Sequence, residues 1–251
     1  FFRPLRQARH TKCDAAAGAG GSGMKWLRLL LAYHILGSLE IATKPLPSPV
    51  VQCQKIVNPL DVTPIRSPQA VHTALTGLFQ GKDVVEFGTR SGDGAECFAH
   101  VARTLTALEP DIGWCGRLSK RLHMGNVSVL CTTYQNHTPD ADLYTWWQQG
   151  KGLRDAPALV HLVNLSEHHR IRPGARAVVL FEQGNVMDMR SYKALWQIPL
   201  VKSRWKNTVH IPFNEVKACT KAKKHLANEF KKDKTFCNRA KGSFAVGIFT
   251  L

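Results

Sequence analysis

Residues 83–94 read DVVEFGTRSGDG, and fifteen positions beyond Gly94 stands Glu109, in TALEP. Residues 83–87 form a short apolar run with β-branched Val84 and Val85, bounded by Gly81 and Gly88, the pattern of a buried strand. Gly88, Gly92 and Gly94 follow at spacings of four and two, and each can adopt φ > 0 or admit a ligand against bare backbone. From Asp93 onward, AECFAHVAR places Cys97, Phe98 and Val101 on one helical stripe. Residues 104–108 are short enough for a second strand, which ends at Glu109. The stretch predicts strand, glycine turn, helix and strand, with an acid beside the turn.

Two nucleotide-binding patterns compete for such a unit. A dinucleotide loop wants GxGxxG, with a helix N-terminus receiving a pyrophosphate. Here the order is ExGxxxGxG, and Glu86 inside the strand end would repel a phosphate while suiting a cationic or zwitterionic ligand. On these residues the stretch resembles the cofactor half of a class I S-adenosylmethionine (SAM) methyltransferase. The resemblance implies that Glu86, Phe87, Gly88, Thr89, Arg90, Gly92 and Gly94 belong to a loop passing under the amino acid part of SAM, with Glu86 near its ammonium. It also implies that Glu109 accepts hydrogen bonds from the ribose hydroxyls. Without the resemblance, the same residues make a βαβ unit of another α/β protein, in which Glu109 caps the next helix.

The remaining pattern extends the alternation. Helices are expected at 112–122, 156–168 and 188–196, and strands at 126–132, 141–147, 175–182, 205–213 and 242–251. Strands alternating with helices argue for a mostly parallel sheet covered on both faces. The expected fold is α/β, a three-layer sandwich around a seven-stranded, mostly parallel sheet with an antiparallel last strand, the class I methyltransferase fold that the resemblance implies.

The chain divides into a leader at 1–44, a Pro-rich linker at 45–68 and a methyltransferase-like domain at 69–251. Residues 43–68 hold six prolines and little periodicity, so they read as an extended connector. Residues 24–42, MKWLRLLLAYHILGSLEIA, have the build of a secretory signal or membrane anchor, although Arg28, His34 and Glu40 interrupt the apolar run. The competing reading takes 1–44, with seven basic and two acidic residues, as a transit peptide to a mitochondrion or plastid.

Six cysteines lie beyond the leader, and none forms a CxxC pair, so no zinc site is indicated. Cys97 and Cys131 read as free core residues, while Cys219 and Cys237, flanking a polar segment, are the better disulfide candidates. Sequons at Asn126 (NVS), Asn136 (NHT) and Asn164 (NLS) favour a lumenal chain.

The net charge of +16 is concentrated. An insertion at 214–241 carries Lys217, Lys221, Lys223, Lys224, Lys231, Lys232 and Lys234 between the last two strands. It reads either as a helix with a solvated basic face or as a contact for an acidic partner such as RNA or an anionic surface.

The acceptor side is less legible. Asp142, Tyr144, Trp146 and Trp147, on the fourth strand, are the candidate pocket residues, and NPPY, DPPY and PC motifs are absent. Methyl transfer depends mainly on positioning, so a general base is optional. Two functions are therefore expected as alternatives: a SAM-dependent methyltransferase acting on an unidentified acceptor, or an inactive methyltransferase-like scaffold that contacts an acidic partner through its basic insertion.

Overall fold

Val84 and Val85 sit side by side in sequence yet pack into different hydrophobic clusters, because successive side chains of a strand point to opposite faces. In the computed structural model, which describes residues 44–60, 68–147, 155–184, 186–215 and 241–251, this division runs through the whole sheet. The strands are β1 (Asp83–Phe87), β2 (Thr104–Leu108), β3 (Val127–Leu130), β4 (Leu143–Trp147), β5 (Arg176–Glu182), β6 (Trp205–Asn214) and β7 (Lys241–Thr250). The helices among the described residues are α1 (Cys53–Ile56), α2 (Gln69–Phe79), α3 (Asp93–Ala99), α4 (Ile112–Arg121), α5 (Asp155–Glu167), α6 (Val186–Leu195) and α7 (Pro199–Arg204).

The strand order is β3-β2-β1-β4-β5-β7-β6. β1 pairs in parallel with both β2 and β4, and β7 runs antiparallel between β5 and β6. One face packs Val85, Phe87, Tyr144, Trp146 and Val179 under Leu159, Leu162 and Val163 of α5. The other packs Val84, Leu105, Leu143, Val178 and Val246 under α2, α3 and α4, through Val71, Leu75, Phe79, Phe98 and Leu118. Burying apolar side chains on both faces stabilises the sheet by roughly 25 cal/mol per Å² removed from water, which explains why the central strands read as continuous apolar runs.

The expected strand and helix positions agree with the structure to within a few residues. Three short or early helices were not anticipated. α1 occupies part of the supposed linker, α2 begins immediately after Pro68, and α7 starts with Pro199, whose missing N–H is harmless at a first helical position.

Within the segment read as an extended connector, residues 44–60 strap α2 and α3. The Val50 N–H donates to Thr76 Oγ1 at 3.1 Å and the Cys53 N–H to Thr73 Oγ1 at 2.9 Å. Cys53 is joined to Cys97 of α3, and Leu60 N–H donates to the Asp93 carboxylate at 3.0 Å. A second disulfide joins Cys115 of α4 to Cys131, just past β3. Cys97 and Cys131 are therefore not free core thiols. Their partners stand 44 and 16 residues away in sequence and only the fold brings each Cα pair to 5.4 Å.

The leader, including 24–42, and residues 216–240, including Cys219, Cys237 and the seven lysines, lie outside the described residues. Among the described residues no helix is long and apolar enough to cross a membrane.

Gly77 and Gly116 test the strap. A Cβ on Gly77 would collide with the Ser48 carbonyl oxygen and come within 2.9 Å of the Pro47 oxygen, whereas one on Gly116, inside α4, meets nothing within 4 Å. Gly77→Ala is expected to lower unfolding stability by about 1–3 kcal/mol through overpacking. Gly116→Ala is expected to raise it by up to about 1 kcal/mol through helix propensity. Urea unfolding of both variants measures the two signs, and a neutral Gly77→Ala would mean that the strap is not seated on α2.

Candidate functional site

Because β1 pairs in parallel on both edges, the chain leaves its carboxyl end for β2 on one side while β4 approaches from the other. The crevice at such a switch point is where open α/β sheets bind ligands. Here the crevice is a cavity of about 440 Å³ lined by Phe87, Gly88 and Arg90 from the end of β1 and the glycine turn. Leu108, Glu109 and Pro110 beyond β2, Trp114 of α4, residues 132–135 beyond β3, Trp146 and Trp147 of β4, and Ala158 of α5 complete it. Its size falls within the range of small-molecule sites, roughly 300–1,000 Å³.

The turn has three positive φ values: Gly88 at 70°, Arg90 at 50° and Gly92 at 81°. Glycine accounts for two of them, and the third puts a non-glycine residue in the left-handed region, a conformation that surrounding structure must enforce. Two bonds supply the enforcement. The Gly88 N–H donates to the Leu108 oxygen at 2.8 Å, and the Arg90 N–H donates to Glu109 Oε2 at 2.8 Å. Gly92 caps α3, and a Cβ there would stand 2.6 Å from Leu118 Cδ2. Gly94 is already helical and serves close packing, since a Cβ would meet Glu86 Oε1 at 3.1 Å and His72 Nε2 at 3.2 Å.

Glu109 is the buried acid of the cavity wall, 6% exposed. Oε2 accepts from Arg90 and Oε1 accepts from the Asp111 N–H at 3.0 Å, so each oxygen keeps a lone pair for a further donor. It does not cap α4 itself. Asp111 does that, its side chain accepting from the Trp114 N–H at 2.8 Å.

The aromatic wall is continuous. Phe87 stacks on Tyr134 with centroids 5.1 Å apart and on Trp146 at 5.6 Å. Across the cavity, Arg117 lies 3.8 Å over the Trp114 ring and Arg90 lies 5.1 Å from it, a cation–π arrangement that fixes the indole.

Glu86 faces the opposite side of the sheet from Phe87, towards α2 and α3. Its Oε2 is buried without a hydrogen-bond partner. Burial, reinforced by the charges of Asp93 and Glu109, pushes its pKa up to about 8. His72 of α2 packs edge-on against Phe98 and Trp147, with centroids at 5.4 and 5.8 Å. Burial lowers its pKa to about 4, partly opposed by Asp93, so the ring is neutral at pH 7. Asp93 is paired with Arg121 at 2.7 Å, and Arg121 also holds Glu96. A negative environment thus lies behind the glycine turn.

Of the residues expected at the site, Phe87, Gly88, Arg90, Glu109, Trp146 and Trp147 line the cavity. Glu86, Gly92 and Gly94 support the turn from behind, and Thr89 is buried with Oγ1 lacking a hydrogen-bond partner. Asp142 and Tyr144 are displaced from the expected pocket. Asp142 precedes β4, at the opposite pole, where Arg172 reaches it at 2.9 Å and Asp83 at 3.0 Å. Tyr144 is fully buried and donates its hydroxyl to the Pro139 oxygen at 2.9 Å. Only the carboxyl end of a parallel strand reaches the crevice, so the last two residues of β4 arrive there and its beginning does not. Sequence reading missed Trp114, Tyr134, His72 and the Asp93–Arg121 pair. The position of residues 132–135 directly past the third strand was the available signal for Tyr134; the others carried none.

No family model matches the chain, and no curated protein matches it. Among solved structures it is similar to the N-methyltransferase NodS from Bradyrhizobium japonicum WM9, with a TM-score of 0.50 and 14% identity over 76% of this chain and 98% of that one. It is also similar to the tRNA (m1A58) methyltransferase TrmI from Aquifex aeolicus, with a TM-score of 0.48 and 14% identity over 72% and 68% of the two chains. NodS in complex with S-adenosyl-L-homocysteine matches with a TM-score of 0.48 and 14% identity over 79% and 95%. Identities this low speak for the fold alone. From the strand order, the antiparallel β7 and the likeness to NodS, the chain has the class I methyltransferase fold.

Proposed function

We propose that the protein binds SAM in the switch-point cavity and transfers its methyl group to an acceptor. The observation that carries this reading is Glu109: a buried carboxylate on the cavity wall, tied by one oxygen to the glycine turn and still able to accept from a ligand's hydroxyls. The other residues fit the same ligand. Tyr134, Trp114 and Trp146 offer apolar faces to a flat heterocycle, and the negative environment around Glu86 suits an ammonium. SAM supplies a methyl group on a positively charged sulfur, open to attack by an acceptor's lone pair. The chain's part is to hold the two in line and exclude water.

A second reading rests on one observation. The charged side chains lining the cavity are Arg90 and Glu109, and Glu109 is committed to the turn. No further charged group among the described lining residues is placed to take an acceptor's proton. In this reading the domain is a non-catalytic binding module, and the basic segment 214–241 contacts an acidic partner. Its affinity for RNA would then fall steeply with salt. Bound SAM that is never consumed, together with salt-sensitive RNA binding, would favour this reading; turnover to S-adenosylhomocysteine would exclude it.

Calorimetry with SAM is the direct test, and absence of binding at high micromolar concentration would remove the enzyme reading. With binding established, Glu109→Ala is expected to weaken it by about 1–3 kcal/mol through lost charge-assisted bonds.

The pKa of Glu86 adds a pH signature. A carboxyl group with pKa about 8 is mostly protonated at pH 7, and the ammonium of SAM seated on the glycine turn that Glu86 backs would favour its ionisation through the turn. Affinity is therefore expected to rise on the order of tenfold between pH 6.5 and 7.5 and to flatten above 8, with a flat profile in Glu86→Gln. The ligand-free protein should behave oppositely. A carboxyl group whose pKa is raised on folding contributes stability that is lost as pH climbs from its unfolded value through the folded one. Stability is thus expected to fall by on the order of 2 kcal/mol between pH 6.5 and 8, and the loss to vanish in Glu86→Gln. Below pH 6.5, the lowered pKa of His72 works in the other sense, its contribution being lost as pH falls towards 4.

A further inference from the structure

The three sequons differ sharply once folded. Asn126 is half-buried, and its side-chain Nδ2 donates both hydrogens inward, to the Ala99 oxygen at 2.8 Å and the Ala102 oxygen at 3.2 Å. A sugar on that nitrogen would replace one of these hydrogens and would have to enter the junction between the end of α3 and the start of β3. Asn136 is exposed in the turn after β3, next to Gln135 of the cavity wall. Pro139 directly follows its sequon threonine, however, and a proline biases the residue before it towards extended backbone, which impedes the compact turn bringing hydroxyl and amide together. Asn164 has neither obstacle. It is exposed on the outer surface of α5, and no proline follows Ser166.

Its place on the helix matters too. Ala158, near the start of α5, lines the cavity, so residue 164 lies roughly 9 Å further along the helix axis, leading away from the site. A bulky glycan there would stand in water and leave the cavity open. The compartment that such a modification requires is indicated independently. All four described cysteines are paired, in Cys53–Cys97 and Cys115–Cys131, and disulfides form and persist in oxidising compartments.

We infer that the protein folds in an oxidising lumen and carries an N-linked glycan on Asn164, with Asn126 unmodified. The donor class is an oligosaccharide on a lipid pyrophosphate. The Asn164 amide nitrogen forms a bond to the sugar's C1 and gives up one proton, while the C1–O bond to the pyrophosphate breaks and the lipid pyrophosphate leaves. A helix does not bar this step when the acceptor is modified on the nascent chain; the folded structure decides whether the sugar can then be accommodated.

The full chain, isolated from eukaryotic cells that express it, is treated with peptide-N-glycosidase in ¹⁸O water, which converts an occupied Asn to labelled Asp. The expected result is label at Asn164 and none at Asn126. In gel mobility, Asn164→Gln should lose one glycan step and Asn126→Gln none. Label at Asn126, or an unlabelled Asn164, overturns the assignment. Because the readout is the glycan itself, it is independent of whether SAM binds.

Discussion

Everything at the carboxyl end of the sheet depends on β1 pairing in parallel with β2 on one edge and β4 on the other. Parallel neighbours bring the ends of β1, β2 and β4 to the same pole, and the connections that leave them diverge to opposite faces. The crevice between those connections is a consequence of topology, before any side chain is considered. The side chains then specialise it. Phe87 turns to the α5 side and builds an aromatic wall with Tyr134 and Trp146, whereas Glu86, one residue earlier, turns to the α2 side and into an acidic environment.

That environment is costly to maintain, and the structure shows how it is contained. Asp93 is paired with Arg121, which also holds Glu96, so the first turn of α3 is anchored to α4 by a part-buried ion pair. Breaking one partner of such a pair is far more destabilising than replacing both. Glu109 is satisfied by two backbone N–H groups, and Glu86 responds instead by retaining its proton. Three acids in close quarters thus reach three different settlements.

The strap and the disulfides hold this arrangement from outside. Cys53–Cys97 fixes residues 44–60 to the helix that follows the glycine turn, and Cys115–Cys131 joins the segments that contribute Trp114 and residues 132–135 to the cavity. Both cross-links restrict the unfolded chain more than the native one, and Cys115–Cys131 closes beside a wall of the cavity.

The sequence by itself determined the order of the seven strands and of four of the helices between them. Period-two and helical patterns, the glycine spacing and the position of Glu109 are local properties, and the strand boundaries they imply lie close to those observed. They also determined part of the site, because Phe87, Gly88, Arg90 and Glu109 follow one another around a single βαβ unit. What only the tertiary structure decided concerns residues distant in the chain. That Asp142 falls at the wrong pole, that Tyr144 is core, that Trp114 and Tyr134 reach the cavity, and that Cys97 meets Cys53 all follow from strand register and from the path of the connections. The shifts at Glu86 and His72 are of the same kind. A carboxyl group or an imidazole has an ordinary pKa in sequence, and only burial, together with the charges that folding brings near, moves it.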